Sequence, residues 1–360
     1  MPTVSPESAG TPVAPASKVS PKRSRWRRAL AIGIALAVVV ATFVFVLPKI
    51  ANYGDVWDAI KDLSGQQIAL LIGATLLNLA TFAPPWQAAL PGLGFLQAFI
   101  LTQVSTASTY VAPGGAAVGI ATSYAMLRAW GFRGSRIGLA ATIVGVWNQF
   151  ALLIFPVVGL ALLTLSNERN PLLETVALVG LVVVLVGVSV FAAGLSTDRL
   201  ACWLGNLLAR IVNWVLRRVR KGPVGWSGES LVALRAEALD LLGRRWHVLT
   251  LATLAGQLTV FVLFLVCLRT LGVSPQEVSV VEAFASWALV RVLGSIPITP
   301  GGVGVVEVGL TGALVGFGGD NAEVVAAVLV YRFLTMVPTL VLGFAGLMAW
   351  RRFRPRLAEG

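Results

Sequence analysis

Pro297-Ile298-Thr299-Pro300-Gly301-Gly302 falls in the middle of an apolar region, about 281–317, that is too long for one membrane-crossing helix. Proline lacks the amide hydrogen a helix needs and clashes with the preceding turn, and paired glycines admit positive φ, so no straight helix runs through this hexapeptide. The region therefore predicts a hairpin of two helical arms folded at the break. Upstream, about 96–127 repeats the arrangement around Pro113-Gly114-Gly115. Pro113 and Pro300 are the candidate hinges. Arms of about 16 residues are short for a bilayer that asks roughly 20 of a helix. On sequence alone the hairpins are either re-entrant or pairs of full spans.

Outward from the two breaks lie six apolar runs of crossing length, about 30–47, 66–84, 137–165, 175–195, 246–268 and 323–349. Over the whole chain 57% of residues are hydrophobic and 12% charged, against roughly 25% charged in a soluble domain, which excludes a soluble enzyme. The first run follows Lys22, Arg23, Arg25, Arg27 and Arg28 and ends in Leu47-Pro48-Lys49 without a small-residue cleavage pattern, so it reads as an uncleaved span rather than a signal peptide. The expected fold is an all-α polytopic membrane protein with six full transmembrane helices and two Pro-Gly-Gly-broken hairpins.

Charge orients this layout. If each hairpin enters and leaves on one side, the segments 1–29, 128–136, 198–245 and 351–360 share a side and carry 22 of the 28 Lys and Arg. The other side receives Lys49, Lys61, Arg169 and Arg269 among nine acidic residues. Basic loops stay cytoplasmic, so both termini are expected in the cytoplasm. A net charge of +12 in a soluble protein would suggest nucleic acid; here the bases flank spans and no nucleic-acid partner is implied.

Within the membrane domain 30–350, the first half, 30–165, reads span, span, hairpin, span; the second, 175–349, repeats that order from the opposite side. The expectation is an inverted repeat whose hairpins face each other, the pattern that marks a transporter's central site. Ala98-Phe99 and Ala283-Phe284 precede the breaks at similar distances. Outside the spans, 1–29 reads as a disordered basic tail, 351–360 as a second basic tail, and 198–245 as a cytoplasmic amphipathic loop lying along anionic headgroups. Trp26, Trp130, Trp246 and Trp350 fall at predicted borders and read as interfacial belt residues.

Arg291, Glu307 and Arg332 are the ionisable residues at membrane depth. An unpaired charge there costs about 2.5–3.5 kcal/mol on insertion scales, so such groups face a cavity or one another. Glu307 can pair with either arginine, as a structural ion pair, or leave one guanidinium free for a phosphate. Gly114, Gly115, Gly301, Gly302 and Thr299 stand where half-helix termini can meet an anionic headgroup. Alternatively, Gly115 with Gly119 and Gly312 with Gly316 are small-residue packing faces. Asn78, Gln87, Asn148, Gln149 and Gln257 add amides to the spans, and 102–110 is rich in hydroxyls and amides up to Tyr110.

Catalytic patterns are missing: no phosphate-binding Gly-rich loop, no His-Glu-x-x-His, two Cys and one His, His247, at a membrane border. The chain is therefore expected not to be an enzyme and to need no metal or cofactor.

The segment Pro297-Ile298-Thr299-Pro300-Gly301-Gly302-Val303-Gly304-Val305-Val306-Glu307-Val308-Gly309, followed by Tyr331-Arg332-Phe333-Leu334-Thr335, resembles the signature of the lysylphosphatidylglycerol synthase transmembrane-region family. Pro113-Gly114-Gly115 and the span pattern over roughly 30–350 fit it as well. Where that family often carries an acidic residue after its first glycines, Ala116-Ala117-Val118-Gly119-Ile120 is uncharged. In its bacterial multiple peptide resistance factors, a similar domain moves aminoacylated phosphatidylglycerol between leaflets, and a separate soluble domain makes that lipid. Here the chain is expected to be a stand-alone membrane unit without such a synthase.

The resemblance implies a flippase-like translocase of an anionic or aminoacylated phospholipid or another lipid-linked headgroup, with Arg291, Glu307, Tyr331 and Arg332 on the substrate. Two other readings remain: a non-transporting scaffold for a separate lipid-modifying enzyme, or an ion-coupled carrier of a small solute. Neither the lipid nor the oligomeric state follows from the sequence.

Overall fold

The computed structural model describes residues 61, 63–111, 115–165, 171–218, 228–295 and 300–350, and among these every regular element is helical. In chain order they are α1 (Gly65–Thr81), α2 (Pro84–Ala89), α3 (Phe95–Val111), α4 (Gly115–Ala129), α5 (Gly134–Leu165) and α6 (Pro171–Ser196). There follow α7 (Asp198–Arg218), α8 (Gly228–Thr270), α9 (Val280–Ser295), a short 3-10 turn (Pro300–Gly302), α10 (Val305–Gly316) and α11 (Asn321–Ala349). Local chemistry starts several of them. Ser64 and Gln67 form a reciprocal capping box at α1, Ser279 and Glu282 do the same for α9, and Asp320 caps α11 by accepting the Ala322 and Glu323 amides.

Five helical stretches are long and apolar enough to cross a membrane: Gly65–Ala89, Gly134–Leu165, Leu178–Ser196, Arg235–Thr270 and Asn321–Ala349. They fall on five of the six runs expected from sequence. The run at 30–47 and both tails lie outside the described residues. Apolar side chains such as Leu76, Leu185, Leu251 and Val341 point outward from these helices, as hydrocarbon-facing surfaces require.

The two broken regions behave differently from the spans. At 1.5 Å per residue, α3 and α4 measure about 25 and 23 Å and α9 and α10 about 24 and 18 Å, all short of a hydrocarbon core of roughly 30 Å. Within each pair the helices run antiparallel. Gly115 lies against Ser108 and Thr109 while Gly119 lies against Ser105; Gly294 lies against Val306 while Gly309 lies against Val290. Each pair therefore ends on the side from which it began.

The same register argument orients the rest. Gln67, Asn78 and Thr81 of α1 meet Thr270, Thr259 and Gly256 of α8 in reverse order. Gly343 and Gly346 of α11 fit between Gln103, Ala107, Ile100 and Val104 of α3, again antiparallel. Three buried clusters form among the described residues, the two larger ones towards opposite ends of the bundle. One joins Leu90, Leu101, Leu127, Trp130, Ile137 and Leu249; the other joins Phe264, Leu268, Val278, Trp287, Leu314 and Val324. Arg128, Arg133, Arg136, Arg244 and Arg245 cap the first end, and Glu277, Glu282, Asp320 and Glu323 the second.

Three expectations need correction. Within 198–245, read as a loop, the described residues are helical: α7 packs along α8, and 228–245 is continuous with the following span in one helix of 43 residues. Its Ala, Leu, Glu and Arg favour helix and no proline stops it before the apolar run. Arg235 clamps the junction, donating to the carbonyls of Leu195 and Ser196 and pairing with Asp198 at 2.6 Å. Trp130 is not a belt residue. It is 1% exposed, and its indole donates to the Trp350 carbonyl, because the end of α4 is tucked beneath the end of α11. Finally, among the described residues nothing packs on Gly312 and Gly316, whereas Gly294 and Gly309 bring the two helices of the same pair close.

Candidate functional site

The second break is built on three glycines with positive φ: Gly301 at 64°, Gly302 at 67° and Gly304 at 85°. L-residues with a Cβ avoid that region, so the chain can reverse here only with glycine. Once reversed, it leaves backbone groups that need partners outside a helix. Glu307, one turn into α10, accepts the Gly304 amide on Oε2 at 2.6 Å. Its other oxygen, Oε1, accepts from Nε of Arg332 at 2.6 Å, and Nη2 of that arginine donates to the Gly301 carbonyl at 2.8 Å. Glu307 is 1% exposed and Arg332 8%. One carboxylate and one guanidinium thus hold a loop, a helix start and α11 in fixed relation. Of the two pairings open to Glu307, the structure makes the one with Arg332.

Among the described residues Arg291 has no carboxylate partner. Its guanidinium lies over the Trp287 ring at 4.9 Å from the centroid, and Nη1 is buried with no hydrogen-bond partner among the described residues. Trp287 is itself wedged among Phe155, Phe261 and Phe284. The ring's negative face supports the cation without neutralising it.

The two breaks touch. The Tyr110 ring at the end of α3 lies so close to Gly301 that a Cβ there would sit 2.6 Å from Cδ1. Beside this contact opens a cavity of about 320 Å³. Asn78 and Leu79 come from α1; Thr102, Gln103, Thr106 and Tyr110 from one face of α3; Arg291, Gly294 and Ser295 from α9; Tyr331, Arg332, Thr335 and Thr339 from one face of α11. No Asp or Glu is among the residues that line it. The hydroxyl-rich face of α3 accordingly turns inward, which accounts for its polarity. Among the described residues no group of His, Cys, Asp or Glu could hold a metal ion.

Of the residues expected at the site, Arg291, Gly301, Tyr331 and Arg332 line the cavity together. Glu307 stands behind Arg332, Pro300 opens the 3-10 turn and Gly302 packs on Gly294. Gly115 does not reach the cavity; it seats α4 on α3 beside Ser108. Pro113, Gly114 and Thr299 lie outside the described residues. Sequence reading passed over Trp287 as a site residue. The available signal was Trp287 and Arg291 at i, i+4 spacing, which puts a cation over a ring on one helix face.

A search of curated proteins finds no match to the chain. A family described as the lysylphosphatidylglycerol synthase TM region matches residues 30–343. That range contains both breaks, the Glu307–Arg332 pair and every cavity residue, and the chain belongs to this family of membrane proteins.

Proposed function

We propose that this protein is a lipid translocase of the bacterial cytoplasmic membrane, with six full spans and two re-entrant hairpins arranged as an inverted repeat. The observation that carries this reading is the polar cavity at the meeting of the two breaks, which holds a guanidinium with no carboxylate partner. A headgroup crosses there while its acyl chains stay in hydrocarbon. Helices too short to span, running antiparallel within each pair, support re-entry. Reciprocal packing supports the repeat: α3 of the first pair lies on α11, α9 of the second lies on α5, and α1 lies on α8. Pro156 inside α5 and Pro338 inside α11 stand apart by nearly the separation of the two Pro-Gly-Gly triplets. The basic end of the bundle, with 198–245 and both termini, faces the cytoplasm by the bias of Lys and Arg.

The cavity supplies hydroxyls, amides and guanidinium groups that can hold a headgroup, and the proposed movement requires no covalent step. Membrane phospholipids are its partners. Leaflet-resolved transport in proteoliposomes tests the proposal. Movement of phospholipid well above that in empty vesicles is expected; rates equal to empty vesicles across anionic and aminoacylated lipids reject it and favour a scaffold for a lipid-modifying enzyme.

A further inference from the structure

At membrane depth the ionisable residues are Arg291, Glu307 and Arg332. Glu307 and Arg332 cancel, and both oxygens of that carboxylate are already engaged, one by a guanidinium and one by a backbone amide. Arg291 is therefore the uncompensated charge. The segments at the tips that are not described, 112–114 and 296–299, hold no Asp or Glu by sequence. Keeping a cation unpaired in hydrocarbon is unfavourable, and this one is positioned rather than hidden: α9 is buried from Ala283 to Ala288, its Trp287 is locked by three aromatic rings, and Arg291 projects from the next turn onto the cavity wall. Tyr110, Tyr331 and Ser295 add hydroxyls on the same wall.

Resting on the translocase reading, we infer that the cavity selects headgroups of net negative charge, with the phosphate on Arg291, and disfavours aminoacylated headgroups. A phosphodiester completes the guanidinium through two parallel hydrogen bonds. An aminoacyl ester adds ammonium groups, and the cavity wall offers no free carboxylate to receive them. Trp287 supports the guanidinium at the cavity wall.

The shared chemistry, an anionic phosphate ester, comes from a lipid headgroup or from a soluble phosphate, and binding by the purified full chain in uncharged detergent separates the two. The probes are short-chain phosphatidylglycerol, its lysyl ester and glycerol 3-phosphate, read by tryptophan fluorescence and titration calorimetry. Phosphatidylglycerol is expected to bind at least tenfold more tightly than the lysyl ester, and Arg291→Gln to remove at least tenfold of that affinity while Arg291→Lys retains part of it. Should Arg291→Gln not fold, selectivity of the wild-type chain decides. Equal affinity for both lipids, or undiminished binding by folded Arg291→Gln, overturns the inference. Transport of the lysyl ester as fast as phosphatidylglycerol overturns it too and leaves the translocase standing. Selective, Arg291-dependent binding with no transport keeps the anion site and removes the translocase. Glycerol 3-phosphate binding as tightly as the lipid likewise keeps Arg291 as an anion site and counts against a lipid substrate.

Discussion

The two breaks share a Pro-Gly-Gly triplet but are held by different forces. Around the first, α4 seats on α3 through steric fit: Gly115 and Gly119 let the backbone of 105–109 approach, and no ionisable residue takes part. Around the second, three positive-φ glycines shape the turn, and a buried Glu307–Arg332 pair ties it to α11. The lesson is that one interrupted helix is maintained by what is missing, a Cβ, and the other by a charge balance that leaves Arg291 over. Both then meet at Tyr110 and Gly301, so each depends on the other's position.

The sharpest way to break this contrast is Glu307→Ala. It strands Arg332 in the interior, and a loss of about 3–5 kcal/mol is expected from removing one partner of a buried pair. Reversible unfolding in mixed micelles measures it. Combining Glu307→Ala with Arg332→Met should restore much of the stability, because the charge that Glu307 balanced is removed with it; a double variant as weak as the single one would make the pair a minor contributor.

Gly115→Ala tests the steric side. Its Cβ collides with the Ser108 carbonyl, a backbone atom that cannot swing aside, and overpacking of this kind costs about 1–3 kcal/mol. The same unfolding assay reads it, with Gly312→Ala as the control expected to be close to neutral because nothing lies near Gly312.

Gly301→Ala joins the two breaks. The left-handed backbone alone costs about 1–2 kcal/mol, and the Tyr110 ring must also move. Introducing Tyr110→Ala beside it should relieve the steric part and leave the backbone part, so the two substitutions are expected to be less than additive. Strict additivity would mean that the breaks do not bear on one another.

The smallest effect is expected away from both breaks. Gln257 donates to Asn148 at 2.9 Å between α8 and α5, and interhelical hydrogen bonds of this type average about 0.6 kcal/mol. Gln257→Leu should therefore shift unfolding slightly and leave lipid movement unchanged.

The spans are legible in the sequence because their signal is cumulative. About 20 apolar residues in a row, bounded by charge, have few other fates, and the runs at 66–84, 137–165, 175–195, 246–268 and 323–349 each coincide with a helix. Sidedness is legible for a related reason: Arg128, Arg133 and Arg136 lie between two breaks in the apolar pattern and must share an end with Arg244 and Arg245 if α3 and α4 return. The extent of α8 is less legible. Hydropathy marks where a helix enters hydrocarbon and says nothing of where it stops in water, so 228–245 reads as loop although its residues favour helix.

Residue types alone establish that this chain carries three ionisable groups at membrane depth and two places where helices cannot continue, since both follow from the cost of charge in hydrocarbon and from the geometry of proline and glycine. Which arginine Glu307 takes, and which is left beside a cavity, depends on how α9, α10 and α11 pack. Arg291 and Arg332 are equivalent as sequence; distance and orientation separate them, and those exist only once the helices are assembled.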